Sequence, residues 1–262
     1  MRLVTWNVAG KVGRLPDQAK ALLGLGADVV ALQEVTVRTE PLWREALGRG
    51  GYGFVEHALD GLPPKPTKRR LAVLTAARSP LRRLAGPPEL PWPERVLCCS
   101  VDGVEVVNVH SPIAPSPELA KIRTHVAVAA YLRGSRSGPR ILCGDLNTPR
   151  RELADGTLLT FAHDSKGRLR PERGERWDRA ERALIRDLGW TDAFRAIHGY
   201  GTRDASWTFS GDRGGWRLDH VLVSGLNVLA AAYAHEWRRA GLSDHSALIV
   251  DVERQPPAAT TS

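Results

Sequence analysis

Short apolar segments of β-strand character recur along the 262-residue chain, and six of them end on a carboxylate, amide or imidazole. The polar residues at these ends are Asn7, Glu34, His110, Asp145 with Asn147, Asp219, and Asp244 with His245. Polar groups at the rim of an apolar core are costly unless they bind a ligand or take part in a reaction. The pattern therefore predicts a polar site assembled from strand ends.

Helical segments alternate with the strands, without a fixed repeat. The chain opens with a predicted strand at 3–8, a helix at 15–25 and a second strand at 28–33. Further strands are predicted at 52–56, 71–75, 95–101, 104–109, 140–143, 217–223, 228–235 and 247–252, and helices at 40–47, 118–132 and 176–188. The densely charged stretch 164–182 is expected to be an exposed loop and helix face.

The Asp102-Gly103 turn predicts a two-strand hairpin, so part of the sheet structure is antiparallel. Mixed strands with helices on either side suit two packed sheets, each with helices on its outer face. We expect residues 1–254 to form a single domain and residues 255–262, which begin Gln-Pro-Pro-Ala, to form a mobile C-terminal tail.

The balance of 37 Lys and Arg against 29 Asp and Glu gives a net charge of +8, and a positive field attracts phosphate-rich partners. The basic segment 65–70 could contact a phosphate backbone, although an arginine-rich composition alone would also produce this excess. Three cysteines do not make a disulfide framework, and no secretory signal or apolar membrane span is evident. The charge therefore permits a nucleic-acid partner but does not by itself indicate one. We expect a cytoplasmic monomer that binds no membrane and has no obligate protein partner.

Glu34 is a candidate metal ligand because it ends the apolar run 29–33, which is too apolar to carry a charge for solubility alone. Hard divalent cations take oxygen ligands and Mg²⁺ keeps several waters, so Glu34 with Asn7 and Asp244 would suit Mg²⁺, with Mn²⁺ as a substitute. The alternative is a Glu34 that caps a segment or forms a salt bridge.

Asp145 and Asn147 lie two residues apart after a predicted strand, which directs both side chains to one side. The carboxylate could take a proton from water while the amide holds that water or a phosphate oxygen. An Asx-turn would also explain this pair.

Asp219 and His245 could meet across neighbouring strands, since one opens a strand and the other precedes the last one. A carboxylate orients a histidine and keeps it cationic, and such a cation stabilises charge on a phosphate oxygen. His110 could add a second donor. Each histidine alone is more often structural, but all of them at strand ends indicate a site.

Six motifs in this order resemble the endonuclease/exonuclease/phosphatase superfamily: Thr5-Trp6-Asn7-Val8, Leu32-Gln33-Glu34, Asn108-Val109-His110, Gly144-Asp145-Leu146-Asn147, Arg217-Leu218-Asp219 and Ser243-Asp244-His245. The resemblance implies a deoxyribonuclease I-like α/β/β/α sandwich of four layers, with two mixed, largely antiparallel sheets. It also implies Mg²⁺-dependent hydrolysis of a phosphoester. Glu34 and Asn7 would bind metal, Asp145 would activate water, Asn147 would position it, and Asp219 would pair with His245. Asp244 would serve a metal or the leaving group.

Two stretches look most like the exonuclease III and apurinic/apyrimidinic (AP) endonuclease branch: Asn7 to Gly10 with Arg14-Leu15-Pro16, and Gly215-Trp216-Arg217-Leu218-Asp219. In that branch the Trp and Leu of the second stretch line a pocket for a flipped abasic sugar. The resemblance places substrate contacts at Trp207, Trp216, Arg217 and Leu218. Arg150, which follows Asn147, could reach a substrate phosphate. Trp216 and Leu218 could instead simply pack at a strand start.

The chain departs from that branch in three places. His110 stands where a Tyr is usual, Ser206 stands where an aromatic residue is expected, and the loop 207–216 is short. The leading hypothesis is a Mg²⁺-dependent DNA nuclease of exonuclease III or AP endonuclease type. The alternatives are a phosphoesterase of the same fold acting on RNA, a phospholipid or a small phosphate ester, and a nucleic-acid-binding protein without catalysis.

Overall fold

The computed structural model describes residues 1–61, 70–134, 137–209 and 214–255, and two six-stranded sheets form its centre. Elements are numbered in chain order. The first sheet has the spatial order β15 (Leu226–Ala234), β16 (Ala247–Arg254), β1 (Arg2–Asn7), β2 (Val29–Val35), β4 (Ala72–Ala77) and β3 (Phe54–His57). The second has the order β11 (Thr191–Asp192), β14 (Asp219–Ser224), β8 (Arg140–Asp145), β7 (Val104–His110), β6 (Val96–Val101) and β5 (Leu81–Arg83).

Helices and short ribbons complete the described structure. The α-helices are α1 (Leu15–Gly24), α2 (Glu40–Arg49), α3 (Ala120–Arg133), α4 (Gly174–Ile185), α5 (Ala193–His198) and α6 (His235–Arg239), and 3-10 turns lie at Val12–Arg14, Pro93–Arg95 and Pro117–Leu119. Two ribbons pair β9 (Arg151–Glu152) with β10 (Leu158–Leu159), and β12 (Trp207–Thr208) with β13 (Gly215–Trp216).

Four layers follow from strands that are apolar on both faces. Along β1, Leu3 packs into the core between the two sheets, while Val4 and Trp6 pack against α1 and α2 on the outer side. The second sheet behaves in the same way, since Ile141 faces the inner core and Leu142 packs beneath α3 and α4. Side chains alternate between the two faces of a strand, so both faces of each sheet are buried. The predicted α/β/β/α sandwich is confirmed.

Each sheet contains one parallel pair, β1 with β2 and β7 with β8, and the other pairs are antiparallel. The predicted hairpin is present, because Val101 pairs with Val104 across the Asp102-Gly103 turn that joins β6 to β7. Two parallel strands carry their C-terminal residues to the same edge of a sheet. This brings Asn7 beside Gln33, and His110 beside Asp145.

Several sequence predictions need correction. The predicted strand 228–235 ends at Ala234, and His235 begins α6 instead. The charged stretch 164–182 is not simply an exposed face, because Trp177 and Glu181 of α4 are buried. Residues 65–69 of the basic segment and 256–262 of the predicted tail lie outside the described residues. Among the helices described above, none combines the length and the apolar character needed to cross a membrane.

Candidate active site

Seven of the eight predicted strand-end residues, all except Asp244, converge at one edge of the sandwich, and Asp145 lies at their centre. Its Oδ2 accepts a hydrogen bond from Asn7 Nδ2 at 3.0 Å, and its Oδ1 accepts one from the backbone N of Asn147 at 3.0 Å. Two imidazole nitrogens face the same Oδ2, His110 Nε2 at 3.8 Å and His245 Nε2 at 3.9 Å. The carboxylate is therefore surrounded by donors from both sheets.

Burial governs the charge of Asp145, which is only 2% exposed. Loss of solvation raises the pKa of this carboxyl to about 7, with nearby Asp219 adding to the rise and His245 and Asn7 opposing it. A group with a pKa near neutrality can exchange a proton at physiological pH, which a general base requires.

His245 is held as a cation by its partner. Its Nδ1 lies 2.8 Å from Asp219 Oδ2. Burial alone would lower the pKa of His245, but the carboxylates of Asp219 and Asp145 outweigh it and raise the pKa to about 10. His245 is therefore protonated at neutral pH, with its second N–H directed at the site.

His110, in contrast, is held as a neutral imidazole. Burial, the Arg95 guanidinium and His245 together lower the pKa of His110 well below its usual value. Arg95 Nη1 lies 3.3 Å and 3.2 Å from the two ring nitrogens, and its charge disfavours a second cation at this short range. The site thus places one neutral and one cationic imidazole beside the same carboxylate. Sequence reasoning did not identify Arg95, which follows an irregular, proline-rich segment.

Glu34 reaches the site through an irregularity in its strand. The register of β2 against β4 shifts between Gln33 and Val35, and Glu34 has a φ of 60°. Bulges of this kind re-aim a side chain, and they are common beside active sites. The Glu34 carboxylate accepts a hydrogen bond from Asn7 Nδ2 at 3.2 Å, and its side chain is 24% exposed, which leaves it open to a ligand.

The donor set at this edge fits a hard divalent cation. The ligand atoms of Asp145, Asp219 and His245 all lie within 4.8 Å of one another. Asp219 and His245 are hydrogen-bonded to each other through Oδ2 and Nδ1, so the carboxylates of Asp145 and Glu34 are the oxygen donors best placed for the ion. Oxygen ligands of this type suit Mg²⁺ or Mn²⁺.

Asn7 and Asp244, the other two predicted metal ligands, are placed differently. The amide nitrogen of Asn7 faces both carboxylates, because its Oδ1 accepts the backbone N–H of Ala9 at 3.0 Å. In this orientation Asn7 donates to both carboxylates, and its role as a metal ligand stays a prediction. Asp244 is exposed next to His245, and its charge helps to raise the pKa of that histidine.

Asn147 lies on a strained turn that is anchored from behind. Its φ is 50°, and its side-chain amide donates to the carbonyl of Ser111 at 2.8 Å. Its own carbonyl accepts a hydrogen bond from Lys121 Nζ at 2.7 Å, and the same ammonium donates to Glu181 Oε1 at 2.7 Å. This buried ion pair of α3 and α4 fixes the Asn147 turn, and sequence reasoning did not identify it.

An aromatic cluster adjoins the site at β12, where Trp207 forms an antiparallel β-bridge with His245. The rings of Trp207 and Trp216 are stacked at 5.2 Å, and Phe209 and Phe161 meet Trp216 edge to face. Both tryptophans are partly exposed, so they can contact a ligand. Phe161 and Phe209 were not identified from the sequence.

The residues predicted to accompany these tryptophans have other surroundings. Leu218 is 5% exposed and offers little surface to a ligand. Ser206, which stands where an aromatic residue was expected, is buried, and its Oγ accepts the backbone N–H groups of Leu218 and Asp219 at 2.9 Å and 3.0 Å. It supports the strand that carries Asp219.

Arg217 is a correction to the predicted substrate contacts. Its side chain is 3% exposed, and its guanidinium forms ion pairs of 2.7 Å with both Glu152 and Asp192. A buried cation with two carboxylate partners cannot turn towards a substrate phosphate without leaving those carboxylates unpaired. Arg150 is different, because it is partly exposed and no described residue pairs with it.

Comparison with known proteins agrees with this geometry. The model of the Endonuclease/Exonuclease/phosphatase family matches residues 4–245. Similar solved structures include an AP endonuclease from Archaeoglobus fulgidus, with 20% identity and a TM-score of 0.73 over 97% of this chain and 99% of that one. The 3′-5′ exonuclease NExo from Neisseria meningitidis has 25% identity and a TM-score of 0.71 over 97% and 100%. The catalytic domain of Xenopus laevis APE2 has 20% identity and a TM-score of 0.68 over 99% and 94%. No curated protein sequence matched the chain.

Proposed function

Since the chain belongs to the Endonuclease/Exonuclease/phosphatase family and is a hydrolase of phosphoester bonds, we propose that it is a Mg²⁺-dependent DNA nuclease in which Asp145 activates the attacking water. The observation that carries this proposal is the position of Asp145 between a cationic His245 and a neutral His110, with Oδ2 3.9 Å and 3.8 Å from their Nε2 atoms. A buried base beside a fixed cation suits attack on a phosphate, where negative charge develops.

The other site residues divide the remaining tasks. His245, oriented by Asp219, donates to a phosphate oxygen and stabilises its charge. Asn147 holds the attacking water or a phosphate oxygen, and neutral His110 is a second donor on the opposite side. With these contacts a substrate phosphate would lie next to the Asp145 carboxylate.

Glu34 and Asp145 would hold the divalent cation, with Asn7 fixing the two carboxylates and Asp244 supplying a further negative charge nearby. When bound, the cation polarises the phosphate and favours ionised carboxylates. Such an ion would reach the site from solvent at the exposed side of Glu34.

Three observations support DNA as the substrate. The net charge of +8 favours a polyanion. The stacked Trp207 and Trp216 offer partly exposed rings beside His245, and aromatic rings bind nucleobases or a base-free sugar. The 3′ phosphatase NExo from Neisseria, which shares 25% identity with this chain, has been solved with a product DNA hairpin bound.

A second candidate is a phosphoesterase that acts on RNA, a phospholipid or a small phosphate ester. It is favoured by His110 in the place where the AP endonuclease branch has Tyr, and by a buried Ser206 that leaves one wall of the aromatic cluster without a ring. Because NExo is a 3′ phosphatase, a terminal phosphate is a further substrate to include in the test.

Purified wild-type protein is assayed with and without a chelator on abasic duplex, undamaged DNA, 3′-phosphorylated DNA, RNA and a small phosphate ester. We expect metal-dependent cleavage of DNA that is lost in Asp145→Asn and in Glu34→Ala. The matched controls Asp187→Asn and Glu253→Ala change exposed carboxylates of the same types and retain full activity. Undiminished cleavage by either site variant contradicts the proposed mechanism, and preference for the small ester over every nucleic acid contradicts the proposed substrate.

A further inference from the structure

An arginine-lined cleft lies beside the candidate active site. It has a volume of about 760 Å³ and opens between the segment that follows Asn147, the 200–205 turn and α6. Its wall begins at Trp216 and includes Arg150, Arg151, Arg203, Arg238 and Arg239. The volume is within the range of roughly 300–1,000 Å³ that is usual for ligand sites. None of the residues that surround Asp145 lines it, so the cleft is a separate feature.

The acidic residues of the cleft wall are already neutralised. Glu152 accepts hydrogen bonds from Arg195 and Arg217 at 2.7 Å. Asp204 lies 3.0 Å from His235 Nε2, and Asp164 is bonded to Arg168 at 3.0 Å. These carboxylates therefore do not compensate for the remaining arginines of the wall.

Four of those arginines have positive charges that no described acidic residue neutralises. Arg151, Arg203 and Arg239 are exposed, Arg150 is partly exposed, and within the described parts of the chain none of the four side chains has a hydrogen-bond or ion-pair partner. Guanidinium groups bind phosphate in a bidentate manner. Four of them around one cleft favour a ligand with several phosphates.

Arg238 connects this cleft to the segment that carries His245 into β16. Its Nε donates to Ser246 Oγ at 3.0 Å, and its Nη1 donates to Thr208 Oγ1. His235 Nδ1 lies 2.9 Å from the same Ser246 hydroxyl. Ser246 directly follows His245, so the fixed wall of the cleft is one residue away from the proposed catalytic cation. A strand that passes Trp216 from the active site enters the cleft directly.

We propose that this arginine cleft binds the backbone phosphates of the nucleic-acid strand that extends from the active site, an inference that rests on the proposed function. The arginines contact phosphates and read no sequence. The cleft therefore raises affinity for longer strands whatever their sequence, and it makes binding depend on salt.

The test compares two triple variants that remove the same charge. The cleft triple is Arg151→Ala/Arg203→Ala/Arg239→Ala. The control triple is Arg82→Ala/Arg133→Ala/Arg179→Ala, which alters exposed arginines on β5, α3 and α4 that do not line the cleft. Circular dichroism and thermal melting establish that both variants are folded.

Dissociation constants are measured at several salt concentrations for fluorescent DNA strands of about 2, 6, 12 and 20 nucleotides, lengths chosen to span the cleft. For the longest strand we expect the cleft triple to bind at least roughly tenfold more weakly than the control triple. The slope of log K against log salt should fall by about two, at roughly 0.7 per lost phosphate contact on a single strand. The difference between the triples should grow with strand length.

Equal affinity of the two triples for the longest strand overturns the proposal. A loss for a deoxynucleoside monophosphate or pyrophosphate as large as that for the 20-nucleotide strand also overturns it, because the cleft would then be a site for a free phosphate ligand. Failure of the proposed function is recognised separately. If the wild-type protein cleaves no nucleic acid, the proposed nuclease function is wrong. The binding comparison of the two triples tests the role of the cleft whether or not cleavage is seen.

Discussion

His245 Nδ1 and Asp219 Oδ2 lie 2.8 Å apart in a buried pair, and this contact sets the charge of the candidate site. His245 lies two residues before β16 of the first sheet, and Asp219 begins β14 of the second. The pair therefore crosses the sandwich and connects the two sheets at the edge where the candidate site lies.

Replacing Asp219 with Asn removes the carboxylate that keeps His245 charged. We expect the pKa of His245 to fall from about 10, and the alkaline limb of the activity profile to move to lower pH. The raised pKa stabilises the folded protein fully below the unfolded value of about 6.5, and this contribution is lost as pH rises towards 10. The stability difference between wild type and Asp219→Asn should therefore be larger at pH 6 than at pH 10.

Proton NMR titration of His245 and urea unfolding at the two pH values measure these effects. Asp187→Asn, on an exposed carboxylate, is the control. An Asp219→Asn variant with an unchanged His245 pKa would show that this carboxylate does not hold the cation.

Divalent metal should stabilise the protein through Glu34 and Asp145. A ligand that binds only the folded state adds about 2.7 kcal/mol at 100 times its Kd. Metal must displace protons from its carboxylates, and the pKa of Asp145 is raised to about 7 by burial. The rise in Tm on addition of Mg²⁺ should thus be larger at pH 8 than at pH 6.

Differential scanning fluorimetry with Mg²⁺, Mn²⁺ and chelator tests this expectation. Glu34→Ala should abolish the metal-dependent shift, whereas Glu253→Ala should retain it. A shift of equal size in both variants would place the ion elsewhere in the protein.

Gly144 allows β8 to approach β7 closely before Asp145. Its φ is 127°, and a Cβ at this position would lie 2.0 Å from the carbonyl oxygen of Val109. Gly144→Ala combines backbone strain with a steric clash, so we expect a loss of about 3 kcal/mol or more in the free energy of unfolding. Gly24→Ala is the matched control, because a Cβ there meets nothing within 4 Å. Equal unfolding midpoints in urea for the two variants would contradict this account.

The strand-end residues could be predicted because their geometry is local. Asn7 ends β1, Glu34 lies one residue before the end of the neighbouring β2, and His110 and Asp145 end the neighbouring β7 and β8. An apolar run that stops at a polar residue therefore locates each of them. The layered fold follows from the same runs, since strands buried on both faces must be covered by helices.

Long-range pairing could not be predicted. Arg217 looked available to a substrate because Glu152, its partner, lies 65 residues away in sequence. Lys121 and Glu181 are 60 residues apart, and each belongs to a charged helical pattern that is typical of a solvated surface. The two-residue strands β9 to β13 are too short to show any periodicity.

The Lys121 and Glu181 pair offers the sharpest test of the structure behind the site, because the two partners should not be equivalent. Glu181 accepts hydrogen bonds from Lys121 Nζ, Trp177 Nε1, the backbone N of Phe161 and the Thr148 hydroxyl. Glu181→Leu removes this acceptor from all four buried donors and leaves Lys121 Nζ with only the Asn147 carbonyl, whereas Lys121→Met leaves a carboxylate that still has three donors. We expect a loss of about 3 kcal/mol for Lys121→Met and a larger one for Glu181→Leu. Urea unfolding measures this order, with the exposed Lys20→Met as the control. The reverse order of stability would contradict the hydrogen bonding described for Glu181.

Lys121 also donates to the carbonyl of Asn147. Lys121→Met should therefore lower kcat more than it raises KM.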